Sequence, residues 1–232
     1  MSNENSAVEQ DSELDCAWTS KDPQYITYHD EHWGRPVTDS RELFAKLCLD
    51  GQQAGLSWLT ILRKQANYEK AFYHFDPQRI IQFTEDDVAR LMQDKGIVRN
   101  KLKINSVIKN SRGYLAIEKE MSFSTYIWQF TDFQVINNQC ENRQDVVSTS
   151  PESYAMSKAL KKLGFSFVGE TICYAFMQAI GMVNDHIKSC ARFAELNAEN
   201  QQLKQKLKLM KAEFESARLE STSLEKIHIK NG

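Results

Sequence analysis

His186 and Cys190 lie four residues apart in the segment GMVNDHIKSC. On a helix that spacing puts both side chains on one face, where they would supply two corners of a tetrahedral Cys₂His₂ site for Zn²⁺. Cys16 and His29 form a second pair at the other end of the chain, too widely spaced for a compact finger, so the fold would have to complete the site. The alternative at each end is a buried thiol beside a capping histidine. Four protein ligands leave no open position for water, so a zinc held this way is structural and the chemistry lies elsewhere. His29-Asp30-Glu31 matches the H-x-E of zinc deaminases, but the P-C-x-x-C partner is absent. Cys48, Cys140 and Cys173 have no histidine at ligand spacing and read as packing residues.

Between the two pairs, Trp18, Tyr25, Tyr28 and Trp33 are followed by DGQQAGLSW from Asp50 to Trp58. Aromatic faces around a single carboxylate are what a flipped nucleobase requires: surfaces to stack on and an acceptor for an exocyclic amine. An aromatic-rich segment is also ordinary core material. Gln53, Gly55 and Leu56 form a polar, flexible stretch ending in an apolar side chain that could wedge into a base stack, or a plain turn between helices. A further basic segment, LMQDKGIVRNKLKI at residues 91 to 104, carries Gly96, Arg99, Lys101 and Lys103 and resembles a helix-hairpin-helix. Such a unit grips phosphates through backbone N–H groups and basic side chains; a solvated basic turn is the alternative.

The elements that must position these residues are helical. Good helix patterns run through SRELFAKLCLDGQQ with Asp39 or Ser40 as N-cap, LSWLTILRKQANYEKAFYHF, TEDDVARLMQ with a Thr84/Asp87 capping box, and NKLKINSVIKNSRGYLAIEKE. SPESYAMSKALKKLG and ETICYAFMQAIGMVNDHIKSC complete the set. Few segments alternate with period two, and nine glycines and four prolines punctuate little, so the expected fold is all-α. Residues 1 to 15 read as a disordered acidic leader, 16 to 194 as the folded domain, and 195 to 232 as a helical tail. In the tail, Leu196, Leu203, Met210 and Ala217 repeat every seven residues, with Asn200, Leu207 and Phe214 at the complementary positions. That spacing predicts a short coiled coil and a weak homodimer, or else a solvated trailing helix.

The chain has 232 residues, 41% hydrophobic and 26% charged, which suits one substantial domain. Its formal charge of −2 is unevenly placed. The leader holds five acids and no base, so the remainder carries +3 and DNA binding would rest on local clusters. No apolar run is long enough for a membrane, the N-terminus has no signal-peptide core, and five cysteines without one suggest a reducing cytoplasm.

The blocks CAWTSKDPQYITYHDEHWG, LDGQQAGLSWLTILRKQANYEKAF and KALKKLGFSFVGETICYAFMQAIGMVNDH, with Cys190, resemble the bacterial DNA-3-methyladenine glycosylase I family from Cys16 to about Cys190. The resemblance implies an all-helical helix-hairpin-helix glycosylase with a structural zinc on Cys16, His29, His186 and Cys190. It also implies that Tyr28 and Trp58 sandwich the excised base, that Trp18 completes the pocket, and that Asp50 is the recognition carboxylate. The family has Glu where this chain has Asp50, which retracts the acceptor by one methylene. The implied partner is double-stranded DNA containing alkylated bases, and the implied reaction is hydrolysis of the N-glycosidic bond of 3-methyladenine to leave an abasic site. The Asp50 replacement keeps two alternatives open: a non-catalytic damaged-DNA-binding homologue and a glycosylase with altered base preference.

Overall fold

A computed structural model describes Cys16 and residues 21 to 230, with side chains as far as Leu219. The acidic leader and Trp18 lie outside the described residues. The chain forms α1 (Pro23–Glu31), α2 (Ser40–Gln53), α3 (Trp58–Leu62), α4 (Gln65–Ala71), α5 (Pro77–Ile80), α6 (Glu85–Gln93), α7 (Lys101–Glu118) and α8 (Phe123–Trp128). It continues through α9 (Pro151–Lys162), α10 (Glu170–Ala179) and α11 (Ala191–Lys230). The expected all-helical fold is qualified by one small parallel pair, β1 (Ile136–Asn137) with β2 (Val183–Asn184), in register Ile136 to Val183.

Helix α2 is the central element and packs against α3, α7, α8 and α10. Its start is set by Asp39, whose carboxylate accepts from the Glu42 amide at 2.9 Å. One face buries Leu43, Phe44, Leu47 and Cys48 almost completely, and the same turns carry Asp50 and Gln52 inward. The capping box of Thr84 and Asp87 opens α6 as the sequence pattern predicts.

Three expectations need correction. The segment 56 to 75 is not one helix. It breaks after Leu62, so that α4 turns Tyr68 and Phe72 into the main core while Leu62 joins Tyr28 and Trp33 in a second cluster, and Trp58 packs against both. The last predicted helix stops at Ala179, and His186 and Cys190 are therefore not on a helix face. Gly181 there adopts φ +73°, and an added Cβ would meet the Gly34 carbonyl oxygen at 2.6 Å, so the chain leaves α10 through a turn that a side chain would block.

The tail is the third. Leu196 and Leu207 are each about 1% exposed, Asn200 is buried, and Leu203, Met210 and Phe214 pack against the main core. Phe214 meets Phe133 with ring centroids 5.6 Å apart, and Lys211 pairs with Asp132 at 2.6 Å. The heptad seam through Phe214 is thus covered by the chain's own domain, so it is not open to a second copy, and the folded unit extends past residue 194. Replacing Leu207 by Ala should lower stability by about 2–4 kcal/mol. Urea unfolding measures this; an unchanged midpoint would show that α11 trails free of the domain.

Candidate functional site

The C-terminal end of α2, the start of α3, α1 and α10 enclose a cavity of about 360 Å³. Its walls include Tyr28, Trp33, Asp50, Gln53, Trp58 and Gln178, a size and composition suited to one planar ring system. Tyr28 and Trp58 touch directly, with centroids 5.2 Å apart and planes inclined by 46°. They stand as adjoining walls, inclined to each other rather than parallel.

Asp50 is 3% exposed, and its Oδ2 has no hydrogen-bond partner among the described residues. Trp58 Nε1 is likewise buried without one. Burial pushes the Asp50 carboxyl up to about 8, slightly relieved by Lys46. Tyr28 is pushed well above the usual phenol range by its own burial and then by the nearby Asp50 charge. The cavity therefore presents one unsatisfied acceptor or acid and one unsatisfied donor among aromatic faces. A planar ring with complementary polar edges could satisfy both.

Beside this cavity the ligand atoms of Cys16, His29, His186 and Cys190 all lie within 4.8 Å of one another, and all four residues are buried. The two ends of the chain thus meet, as the paired spacing suggested. His29 Nε2 is 3.8 Å from Cys190 Sγ, while its Nδ1 is held by Asp30 at 2.7 Å. His186 Nδ1 faces Asn184 Oδ1 at 3.3 Å, and its Nε2 is buried without a hydrogen-bond partner among the described residues. Hydrogen bonds from Cys16 and then His29 outweigh burial and hold the Cys190 thiol down to about 5, and burial first, then His29, pulls His186 down to about 3. Thiolate and neutral imidazole are the forms that ligate Zn²⁺, and oriented second nitrogens are the usual outer shell. The donor set fits a tetrahedral zinc. Trp33 links the two regions, contacting the His29 and His186 rings while lining the cavity.

The candidate DNA contacts divide. Gly55 adopts φ +75° with open space around it, and Leu56 is 40% exposed at the tip of the turn between α2 and α3. Gln53 lines the cavity just below. In the 91 to 104 segment, Arg99 is exposed and Lys101 is exposed beside Glu85 at 3.3 Å. The Gly96 amide already donates to Asp94 at 2.7 Å. Asn100 already caps the Leu102 and Lys103 amides at the start of α7. Lys103 must be struck from the phosphate contacts. It is buried, and its ammonium donates to the Gln52 and Ala54 carbonyls at 2.6 and 2.7 Å, closing the end of α2.

Sequence reading passed over a second helix–turn–helix, from α9 to α10. Gly164 turns at φ +85°, Phe165 and Val168 pin the turn to the core, and Gly169 opens α10 with no side-chain cap. Lys161 and Lys162 are exposed on its approach, and Thr171 and Ala175 of α10 line the cavity. The two glycines bracketing Phe165-Ser166-Phe167-Val168 were the available signal. Tyr174, Gln178 and Asp185 were also missed, because their convergence is tertiary.

A family model described as methyladenine glycosylase matches residues 18–193. The chain is 49% identical over 176 residues to DNA-3-methyladenine glycosylase 1 of Escherichia coli K12, covering 75% of this chain and 94% of that one. It is 47% identical over 176 residues to DNA-3-methyladenine glycosylase of Haemophilus influenzae, covering 75% and 95%. A solved 3-methyladenine DNA glycosylase I from Staphylococcus aureus, described for its recognition of 3-methyladenine, superposes with a TM-score of 0.76 at 39% identity, covering 78% and 96%.

Because the buried Asp50 is protonated when folded and ionised when unfolded between its ordinary value of 3.8 and about 8, the folded state loses stability as pH rises through that window. Asp50→Asn should therefore be more stable than the natural chain at pH 8, on the order of 2–5 kcal/mol, with a flatter stability profile between pH 4 and 8. Thermal unfolding across that range decides it. Equal stability at both ends would place the carboxyl in a solvated setting.

Proposed function

The chain belongs to the methyladenine glycosylase family, and from that premise we propose how its residues release a damaged base. The protein is a DNA-3-methyladenine glycosylase: it hydrolyses the N-glycosidic bond of 3-methyladenine in alkylated DNA and leaves an abasic site. The observation that carries the reading is the unsatisfied Asp50 carboxyl in an aromatic cavity of about 360 Å³. A binding-only homologue, the reading that Asp50 kept open, is not favoured, since relatives matched over 94% and 95% of their length are glycosylases.

Alkylation at N3 gives the adenine nucleotide a positive charge, so the bond to the sugar is weakened before the enzyme acts. The remaining task is to extrude the nucleotide and to hold the cationic base better than a normal one. Tyr28 and Trp58 offer electron-rich faces to that cation, an attraction of roughly 1–2 kcal/mol when desolvated. Ionised Asp50 supplies charge complementarity and accepts from the exocyclic amine, with a water bridging any gap left by the missing methylene. The bond that breaks joins the base to the sugar carbon, the bond that forms joins water to that carbon, the bonding electrons leave with the base as neutral 3-methyladenine, and the water's surplus proton passes to solvent. No lysine lines the cavity among the described residues, and strand cleavage by a covalent intermediate is not expected.

Outside the pocket, Leu56 is the wedge and Gln53 the residue below it, entering the gap left by the extruded nucleotide. Exposed Arg99 and Lys101, with the turn at Gly96, contact phosphates on one flank. Cys16, His29, His186 and Cys190 would hold a structural Zn²⁺, which supplies a fixed crosslink and no open coordination position. Those four residues anchor α1, and with it Tyr28 and Trp33, against the segment that follows α10.

Release of 3-methyladenine from methylated DNA, identified chromatographically, should show kcat/KM rising with pH with a midpoint near 8 as Asp50 ionises. Asp50→Asn should remove this rise and lower kcat/KM by roughly 10- to 100-fold. No release at any pH would reject the enzyme reading, and a flat profile in the natural chain would remove Asp50 from the role. Separately, elemental analysis should find a single zinc per chain that strong chelators or Cys190→Ser remove, with a fall in Tm. A metal-free protein of unchanged Tm would reject the clasp.

A further inference from the structure

Behind the cavity wall lies a buried carboxylate that the proposed reaction does not use. Asp185 is 1% exposed and is surrounded by donors. Its Oδ1 accepts from Asn138 Nδ2 at 2.6 Å and stands 3.8 Å from Cys140 Sγ; its Oδ2 accepts from Tyr174 Oη at 2.8 Å and Gln178 Nε2 at 2.7 Å. Tyr174 and Gln178 both line the cavity that holds Asp50.

The consequence falls on Gln178. A primary amide can turn either its NH₂ or its carbonyl oxygen toward a neighbour, and the two are chemically opposite. Asp185 Oδ2 already accepts from the Gln178 NH₂ and from the Tyr174 hydroxyl, which turns the NH₂ of Gln178 toward Asp185. Its Oε1 is then the polar atom offered to the cavity, and it has no hydrogen-bond partner among the described residues. The Tyr174 hydroxyl is fixed in the same sense: it donates to Asp185 and accepts from Asn138 at 3.1 Å. The wall thus presents an acceptor that cannot flip into a donor without giving up the 2.7 Å bond to Asp185 and setting the amide oxygen against a carboxylate oxygen.

We infer that Gln178 is a specificity-determining residue of this pocket, with Asp185 as its positioning residue: the locked carbonyl oxygen accepts from the 6-amino group of the alkylated purine and opposes a 6-oxo group. The inference rests on the base-pocket reading above. It gives this chain a second acceptor beside Asp50, whose side chain is one methylene shorter than glutamate. A 6-oxo purine would set two acceptors face to face, which is the repulsive half of a specificity device.

The test is the ratio of 3-methyladenine to 3-methylguanine released from the same methylated DNA. Gln178→Met keeps the side-chain length but removes the acceptor. It should lower kcat/KM for 3-methyladenine about five- to tenfold, while release of 3-methylguanine holds or rises, so that the ratio falls. Asp185→Asn, which frees the amide to turn, should lower the ratio by a smaller factor, and it carries the comparison if the Met variant has a reduced Tm. A structural role alone would lower both products together and leave the ratio at the natural value, overturning the inference. Natural protein that releases no 3-methyladenine would instead overturn the pocket reading itself.

Discussion

The cavity depends on one costly arrangement: a carboxyl buried at the end of α2 with an oxygen left unsatisfied. Burying such a group opposes folding, and it persists only where surrounding packing dictates it. Here α2 dictates it. Leu43, Phe44 and Leu47 are wholly buried, and the helical period then carries Asp50 inward on the same face. The end of the helix is closed from below by the Lys103 ammonium and by Gln52, which is itself held by Tyr68 and the Lys103 carbonyl. A lysine of the wrong helix thereby does for α2 what a glycine C-cap does elsewhere. It holds the last turn rigid where the acceptor must be placed.

Around that carboxyl, each wall is fixed by a different means. Tyr28 rides on α1 and Trp33 on the turn after it, where the Cys and His cluster meets the segment after α10. Trp58, at the start of α3, packs against both the aromatic cluster and the main core. Gln178 and Tyr174 come from α10 and are oriented by Asp185, one residue from His186. The cluster and the pocket therefore share a spine through Trp33 and the 184 to 186 segment, and loosening one would disturb the other. Helix α11, which runs on past the matched residues 18–193, packs on the domain through Leu196, Leu207 and Phe214.

Much of this was legible in the chain. The bounds of α2 and the capping box of α6 follow from local chemistry, and local chemistry survives folding. The convergence of Cys16 and His29 with His186 and Cys190 was foreseeable from residue types, although the expected helix face was wrong because Gly181 turns the chain out of α10 first. The Lys103 assignment failed since a basic side chain near a turn looks the same whether it meets phosphate or a helix end. The tail failed for a related reason: a heptad seam states that a face will be covered, not by what. Asp185 and Gln178 were invisible because Asn138, Cys140, Asp185 and the α10 residues come together only in the fold.

The central claim is that Asp50 is uncharged in the free protein and is available to ionise against a cationic purine. Carbon NMR of its side-chain carboxyl across pH, assigned by comparison with Asp50→Asn, measures this directly. Titration near 8 is the expected result. Titration in the ordinary range near 3.8 would contradict the account, since it would mean the carboxyl is already satisfied before any base arrives.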